Sequence, residues 1–136
     1  MPERTAVGDE LAIRRTLATY CHHVDDGDFA ELVDQFTPDG TFSYQGEEVT
    51  GHEDLRAWFE SKQPPERRGK HLTTNTVIDI TRDRAHALSD FVFLRLLEDS
   101  GAPVIVIAGR YRDELRRIGD RWLIDRREVQ VMSVAG

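Results

Sequence analysis

A histidine that titrates near neutrality, a carboxylate that holds it in one tautomer and a phenol that donates to an oxyanion together make a general acid-base set. His71, Asp25 and Tyr20 are residues of these types, among five histidines, three tyrosines and 25 acidic side chains. Tyr20 falls on an apolar stripe with Ile13, Leu17 and Val24 at helical spacing, so its phenol is either core or a cavity group in need of a partner. Asp25 stands in Val24-Asp25-Asp26-Gly27-Asp28-Phe29, where a carboxylate on its own reads as a turn or cap residue satisfying backbone amides. His71 begins a strand-like run in which His71, Thr73, Asn75 and Val77 alternate with Leu72, Thr74, Thr76 and Ile78. If helices cover the odd face, His71, Thr73 and Asn75 line a pocket; if they cover the even face, the same residues meet solvent. Pattern leaves both open. Asp90, amid apolar residues of a later run, needs a partner if buried, and both His71 and an arginine such as Arg127 are available to it.

Other chemistries are weaker. His22 and His23 with Asp25 and Asp26 suggest a metal, but adjacent residues on a helix diverge by about 100°, so one ion cannot easily take both imidazoles. We expect no metal and no cofactor. The single cysteine, Cys21, cannot form an internal disulfide and reads as a small core residue. His52 and His86 read as exposed.

The elements that would position these groups follow from periodicity and punctuation. Residues 9 to 24 form an amphipathic helix. Asp28 and Glu31 have capping-box spacing before a short helix carrying Phe29, Leu32, Val33 and Phe36 and ending before Pro38. Thr50 and Glu53 repeat that spacing before a third helix, with Leu55, Trp58 and Phe59, that runs to about Lys62 and stops at Pro64-Pro65. A short strand over Thr41 to Tyr44 turns back at Gln45-Gly46. Beyond residue 69 the runs 70–80, 85–98, 103–118 and 121–132 are rich in Val, Ile, Leu, Thr and aromatics, with connections short enough to make antiparallel neighbours. The expected fold class is α+β, three N-terminal helices on a strongly curved antiparallel sheet, in one domain.

Composition limits the partners. With 136 residues, 39% hydrophobic and 32% charged, the chain is a folded globule of single-domain size. Residues 1–60 hold 14 acidic and 4 basic side chains, and residues 61–136 hold 11 acidic and 14 basic, so a net −10 and +3 return the overall −7. Arginines 110 to 127 are interleaved with acids, which removes the net basic face that nucleic acid needs. The longest apolar run, Val104 to Ala108, falls far short of the roughly 20 residues of a membrane helix, and the N-terminus lacks an apolar signal core. The expectation is a cytoplasmic protein that meets neither nucleic acid nor membrane.

Tyr20, the Val24 to Phe29 turn, Phe36-Thr37-Pro38-Asp39-Gly40, Gly51-His52 with Leu55, Lys70-His71-Leu72-Thr73-Thr74-Asn75, Gly109-Arg110-Tyr111-Arg112-Asp113 and Gly119-Asp120-Arg121-Trp122 with Arg127 follow one another in a characteristic order. Over residues 8 to 132 the chain resembles the SnoaL-like branch of the nuclear-transport-factor-2-like (NTF2-like) superfamily. The resemblance implies a cone-shaped α+β barrel, a curved mixed or antiparallel sheet enclosing an apolar cavity closed by the first helix, with the histidine facing that cavity. It also implies a homodimer or higher homo-oligomer across the outer sheet face, where the even, apolar positions of the strand from Lys70 would find a partner. The superfamily hosts dehydratases, isomerases, polyketide cyclases and pure binding modules, so the fold alone does not choose among them.

Residue by residue, the chain looks most like scytalone-type and bile-acid-type dehydratases: Asp25 matches the aspartate after the first helix, and His71 the catalytic histidine at the start of the long strand. The scytalone enzymes' second histidine has no counterpart, since His86 lies in or beside a turn. Measured against ketosteroid isomerases, Tyr20 matches the oxyanion-binding tyrosine, but the base position falls near Tyr44 and the oxyanion-hole aspartate near Gly109. The implied activity is that of a dehydratase, a lyase acting on a small hydrophobic hydroxy-carbonyl compound. His71 would act as base and acid, Asp25 would hold its tautomer, and Tyr20 would donate to the carbonyl oxygen. Asn75, Tyr44, Trp58, Phe91 and Tyr111 are the expected substrate contacts, with Phe29, Phe36, Phe42 and Phe93 as further apolar wall. A polyketide cyclase or steroid-type isomerase is the alternative within enzymes, and a non-catalytic, ligand-binding dimeric module the alternative outside them.

Overall fold

Helix α1 spans Ala6–Asp26 and starts where Thr5, extended at φ −117°, accepts the Gly8 amide on its side chain. It ends at Gly27, whose φ of 77° is the left-handed cap that glycine supplies without a Cβ penalty. A Cβ there would also displace the guanidinium of Arg68, though that flexible side chain can move away, so the backbone conformation is what selects glycine. These elements belong to a computed structural model that describes residues 4–133. A five-residue helix α2 (Phe29–Val33), strand β1 (Phe36–Tyr44), strand β2 (Glu47–Thr50) and helix α3 (His52–Lys62) follow. A single 3₁₀ turn at Pro65–Arg67 leads to β3 (Lys70–Thr81), β4 (Arg84–Leu96), β5 (Pro103–Ile118) and β6 (Arg121–Val131).

The six strands make one sheet in the order β2-β1-β6-β5-β4-β3. Every neighbouring pair is antiparallel except β1 with β6, so the sheet is mixed. It does not close into a barrel. Strands β2 and β3 are its two ends, α1 packs on β3 and β6, and α3 packs on β1 and β2, so helices rather than backbone hydrogen bonds cover the gap. Ile13, Leu17, Tyr20 and Val24 on α1 interlock with Phe36, Leu55, Phe59, Leu115, Trp122 and Ile124 in the core. Among the described residues no helix is long and apolar enough to cross a membrane.

Three local expectations are corrected. The second helix stops at Val33, and Phe36 belongs to β1, where it seats a fully buried ring under Tyr20. Neither capping box forms: Asp28 makes no side-chain cap bond, and the third helix is capped by Gly51 at φ 89° while Thr50 hydrogen-bonds Thr41 across the β1–β2 pair. The alternation of β3 breaks in mid-strand. Thr74 pairs with Asp90 and Val77 with Leu88, so Asn75 and Thr76 together oppose Ser89, and this bulge puts Asn75 at φ 56°. Asparagine is among the few side chains that tolerate that conformation. The bulge reverses the facing: His71 and Thr73 point inward before it, and Thr76, Ile78 and Ile80 after it.

Candidate functional site

The inner sheet face, α1 and α3 leave a cavity of about 590 Å³ open to solvent. That lies within the range of roughly 300–1,000 Å³ seen for small-molecule sites. His71 lines it, and so do Tyr20, Tyr44, Trp58, Phe91 and Tyr111.

The last turn of α1 and the start of β3 bring Asp25 and His71 together. The His71 backbone N–H donates to both Asp25 oxygens, at 3.0 and 3.2 Å, and the ring Nδ1 donates to Oδ1 at 2.6 Å. A carboxylate only accepts, so Nδ1 carries the proton and Nε2 of the neutral ring keeps its lone pair. The side chains are 11% and 6% exposed for His71 and Asp25. The imidazole packs against Phe93 at 4.5 Å and Phe91 at 6.5 Å between ring centroids, which fixes its plane.

Tyr20 stands on α1 between Phe36, Phe59 and Tyr111, with edge-on ring contacts at 6.1, 6.1 and 6.3 Å. Burial pushes its phenol well above the usual tyrosine range, against the opposing pull of the Arg127 charge, so the hydroxyl stays protonated and remains a donor. Tyr111 is raised in the same way, chiefly by burial. Beneath both rings lies a feature absent from the sequence reading. Arg127 is fully buried, its guanidinium 3.8 Å from the Tyr111 centroid and 4.3 Å from that of Tyr20, and it is clamped by Asp113 through bonds of 2.7 and 2.9 Å. Burial by itself would lower the Arg127 pKa, but the Asp113 charge and hydrogen bonds outweigh it and hold the cation. The signal was present in the alternation of β5: Tyr111, Asp113 and Leu115 share the inward face, and Asp113 pairs in register with Arg127 on β6.

Other expected contacts fall elsewhere. Asn75 is not in the cavity; the bulge turns it outward, where its amide donates to Asp90 at 3.3 Å. Asp90 meets neither His71 nor Arg127. It accepts from Arg110 at 2.8 Å on the outer face, and these hydrogen bonds, Arg110 first and Asn75 second, hold its carboxyl below the usual range. Phe29 and Phe36 are core behind the wall, whereas Phe42 and Phe93 do line the cavity. His52 is not free in solvent, since its Nε2 is 3.0 Å from the Phe36 carbonyl oxygen. His22 is exposed, and His23 Nδ1 lies 3.8 Å from Asp28. Among the described residues no group of three or more His, Cys, Asp or Glu is placed to hold a metal ion.

This architecture can be compared with known proteins. The model of the SnoaL-like domain matches residues 5–128. The chain belongs to the SnoaL-like domain family. No curated protein matches it. Among solved structures, a variant of Rv3472, a Mycobacterium tuberculosis protein of unknown function, is 27% identical with a TM-score of 0.84, covering 93% of this chain and 73% of that one. A candidate scytalone dehydratase from Novosphingobium aromaticivorans shares 23% identity at a TM-score of 0.81 over 93% and 86% of the two chains. An NTF2-like protein with a cystatin-like fold, also from Novosphingobium aromaticivorans, shares 21% at 0.85 over 95% and 85%. The last of these establishes that this SnoaL-like chain has the NTF2-like fold.

Proposed function

We propose that this chain is a lyase, a dehydratase that removes water from a small hydrophobic β-hydroxy-carbonyl compound. The observation that carries the reading is the 2.6 Å bond from His71 Nδ1 to Asp25 in the wall of an open, largely aromatic cavity. His71 Nε2 takes the proton α to the carbonyl while the Tyr20 hydroxyl donates to the developing enolate oxygen. The enolate collapses, the C–O bond to the β-hydroxyl breaks, and the imidazolium returns the same proton to make water. Asp25 compensates the charge that His71 carries between the two transfers. One proton is borrowed and returned, so the scheme calls for no redox or group-transfer cofactor.

A steroid-type isomerase is disfavoured sterically as well as chemically. A Cβ at Gly109 would run into the Gln130 carbonyl and crowd the Phe91 ring, so that strand position cannot carry an acid toward the cavity without displacing backbone. The base position holds Tyr44, a half-buried phenol with its pKa raised by that burial. A ring-closing cyclase would use the same base and donor, and product analysis separates it from elimination. A pure binding module would use the Asp25–His71 pair only to tie the end of α1 to β3.

The test is exchange of the α-proton of aryl β-hydroxy ketones, and of β-tetralone as a probe that cannot eliminate, in deuterated water. Wild type should catalyse exchange, and His71→Ala should lose about 10²–10⁴-fold. Equal rates in the two proteins would sink the reading. The proposed assembly is a homodimer through the outer sheet face, where Leu72, Val77 and Ile105 are exposed. Of the even positions of β3, only Leu72 and Thr74 remain on that face, since the bulge turns Ile78 and Ile80 inward. Sedimentation as a monomer at high micromolar concentration would end that assignment.

A further inference from the structure

The cavity is aromatic in its depth and cationic at its entrance. Lys62 at the end of α3, Arg67 in the 3₁₀ turn and Arg95 near the end of β4 all line it, against a single acid, Glu47. Glu47 already accepts the Trp58 indole N–H at 2.9 Å, which ties the β1–β2 hairpin to α3. Arg95 spends one nitrogen on the Glu66 carbonyl oxygen at 2.6 Å, and that bond holds its side chain beside the 3₁₀ turn. The Lys62 ammonium sits 5.8 Å from the Trp58 ring centroid. Among the described residues neither Lys62 nor Arg67 has a carboxylate within ion-pairing distance, whereas arginines elsewhere do, as Arg56, Arg110 and Arg126 illustrate. In a chain of net charge −7, three cations gathered on one cavity wall with one committed acid are an uneven distribution.

From this we infer that the substrate is an amphipathic anion: an aromatic or polycyclic body seated against Phe42 and the stacked Phe91–Tyr111 pair, with a carboxylate or phosphate oxyanion held at the entrance by Lys62, Arg67 and Arg95. The inference rests on the lyase reading for the identity of the site and adds the charge and orientation of its substrate. Anchoring the oxyanion at the mouth points the other end of the molecule toward Tyr20 and His71, so the reacting carbonyl lies at the far end from the anion. Arg95, half-buried and already fixed, supplies direction, and exposed Lys62 and Arg67 supply field. Rim charges of that kind act mainly on association rate and salt dependence.

The experiment compares binding of naphthylbutanoate, its methyl ester and naphthyl phosphate, followed by calorimetry and by quenching of tryptophan fluorescence. The acid should bind about tenfold more tightly than the ester at low salt, and the preference should shrink toward unity as salt rises. Lys62→Gln and Arg67→Gln, at exposed positions that leave the core untouched, should each remove about threefold of the preference, and the double variant most of it. Equal affinity for acid and ester, or a preference indifferent to the double variant, overturns the inference while leaving the lyase reading intact. The preference should persist in His71→Ala, so loss of the lyase reading in the exchange assay does not remove it. Failure of all three ligands to bind at millimolar concentration overturns the inference and leaves the lyase reading to the exchange assay.

Discussion

Asp25→Asn should fold like the wild type and lose about 10²–10⁴-fold in α-proton exchange, nearly as much as removing the histidine itself. The two Asp25 oxygens receive two different N–H groups of His71, the backbone amide and Nδ1. An asparagine has one accepting oxygen. If that oxygen faces the backbone amide, the side-chain NH₂ meets Nδ1 and selects the tautomer protonated on Nε2, which cannot take a proton. If it faces Nδ1, the NH₂ opposes the backbone N–H, and the start of β3 shifts with the imidazole it carries. Either arrangement disables the base while conserving volume. Nitrogen NMR of a histidine-labelled sample reads the tautomer directly: the proton should be on Nδ1 in wild type and on Nε2, or in exchange, in the variant. Full activity in Asp25→Asn would show that Asp25 is only a cap on the turn after α1.

The four long strand runs were legible because each is long, β-branched and bounded by turn residues; β5 was expected over 103–118, the span that it occupies. Helix α1 was legible from its stripe, though the Thr5 cap and the Gly27 stop extend it past both expected ends. The meeting of Asp25 with His71 was not available from spacing, since 46 residues separate them; it entered through the family resemblance. Asn75 misled for a physical reason. Strict period-two alternation gave it the facing of His71, but a bulge is a property of pairing with β4, and a local pattern cannot report it. Arg127 was hidden differently. In a stretch of interleaved charges it read as a solvated arginine or as a partner for Asp90, and only the inward register of β5 and β6 distinguishes Arg127 and Asp113 from exposed Arg112 and Gln130. The cone came from the resemblance and not from the pattern: alternation predicts faces, whereas the gap between β2 and β3 is covered by helices packed there.

That buried pair sets the largest stability effect expected for any single substitution. Arg127 and Asp113 are wholly removed from water, and the guanidinium is wedged under Tyr20 and Tyr111. Asp113→Ala leaves an arginine that cannot deprotonate without its counter-charge, beside an Nη1 that already lacks a hydrogen-bond partner. Breaking such a pair costs about 3–5 kcal/mol, out of the roughly 5–15 kcal/mol that holds a domain of this kind together. With a urea slope of about 2 kcal/mol/M, the denaturation midpoint of Asp113→Ala should fall by about 2 M. The double variant Asp113→Leu with Arg127→Met removes both charges and replaces them with apolar volume, so it should recover much of the loss. It should not recover catalysis. Without the cation beneath them, the Tyr20 and Tyr111 rings lose the partner that sets their height in the cavity floor, and the donor drifts from the position the enolate oxygen must occupy. Stability restored with exchange still depressed is therefore the expected double-variant phenotype. A midpoint within about 0.5 M of wild type in Asp113→Ala would show that water reaches the pair, and that the floor of the cavity is not the dry platform described above.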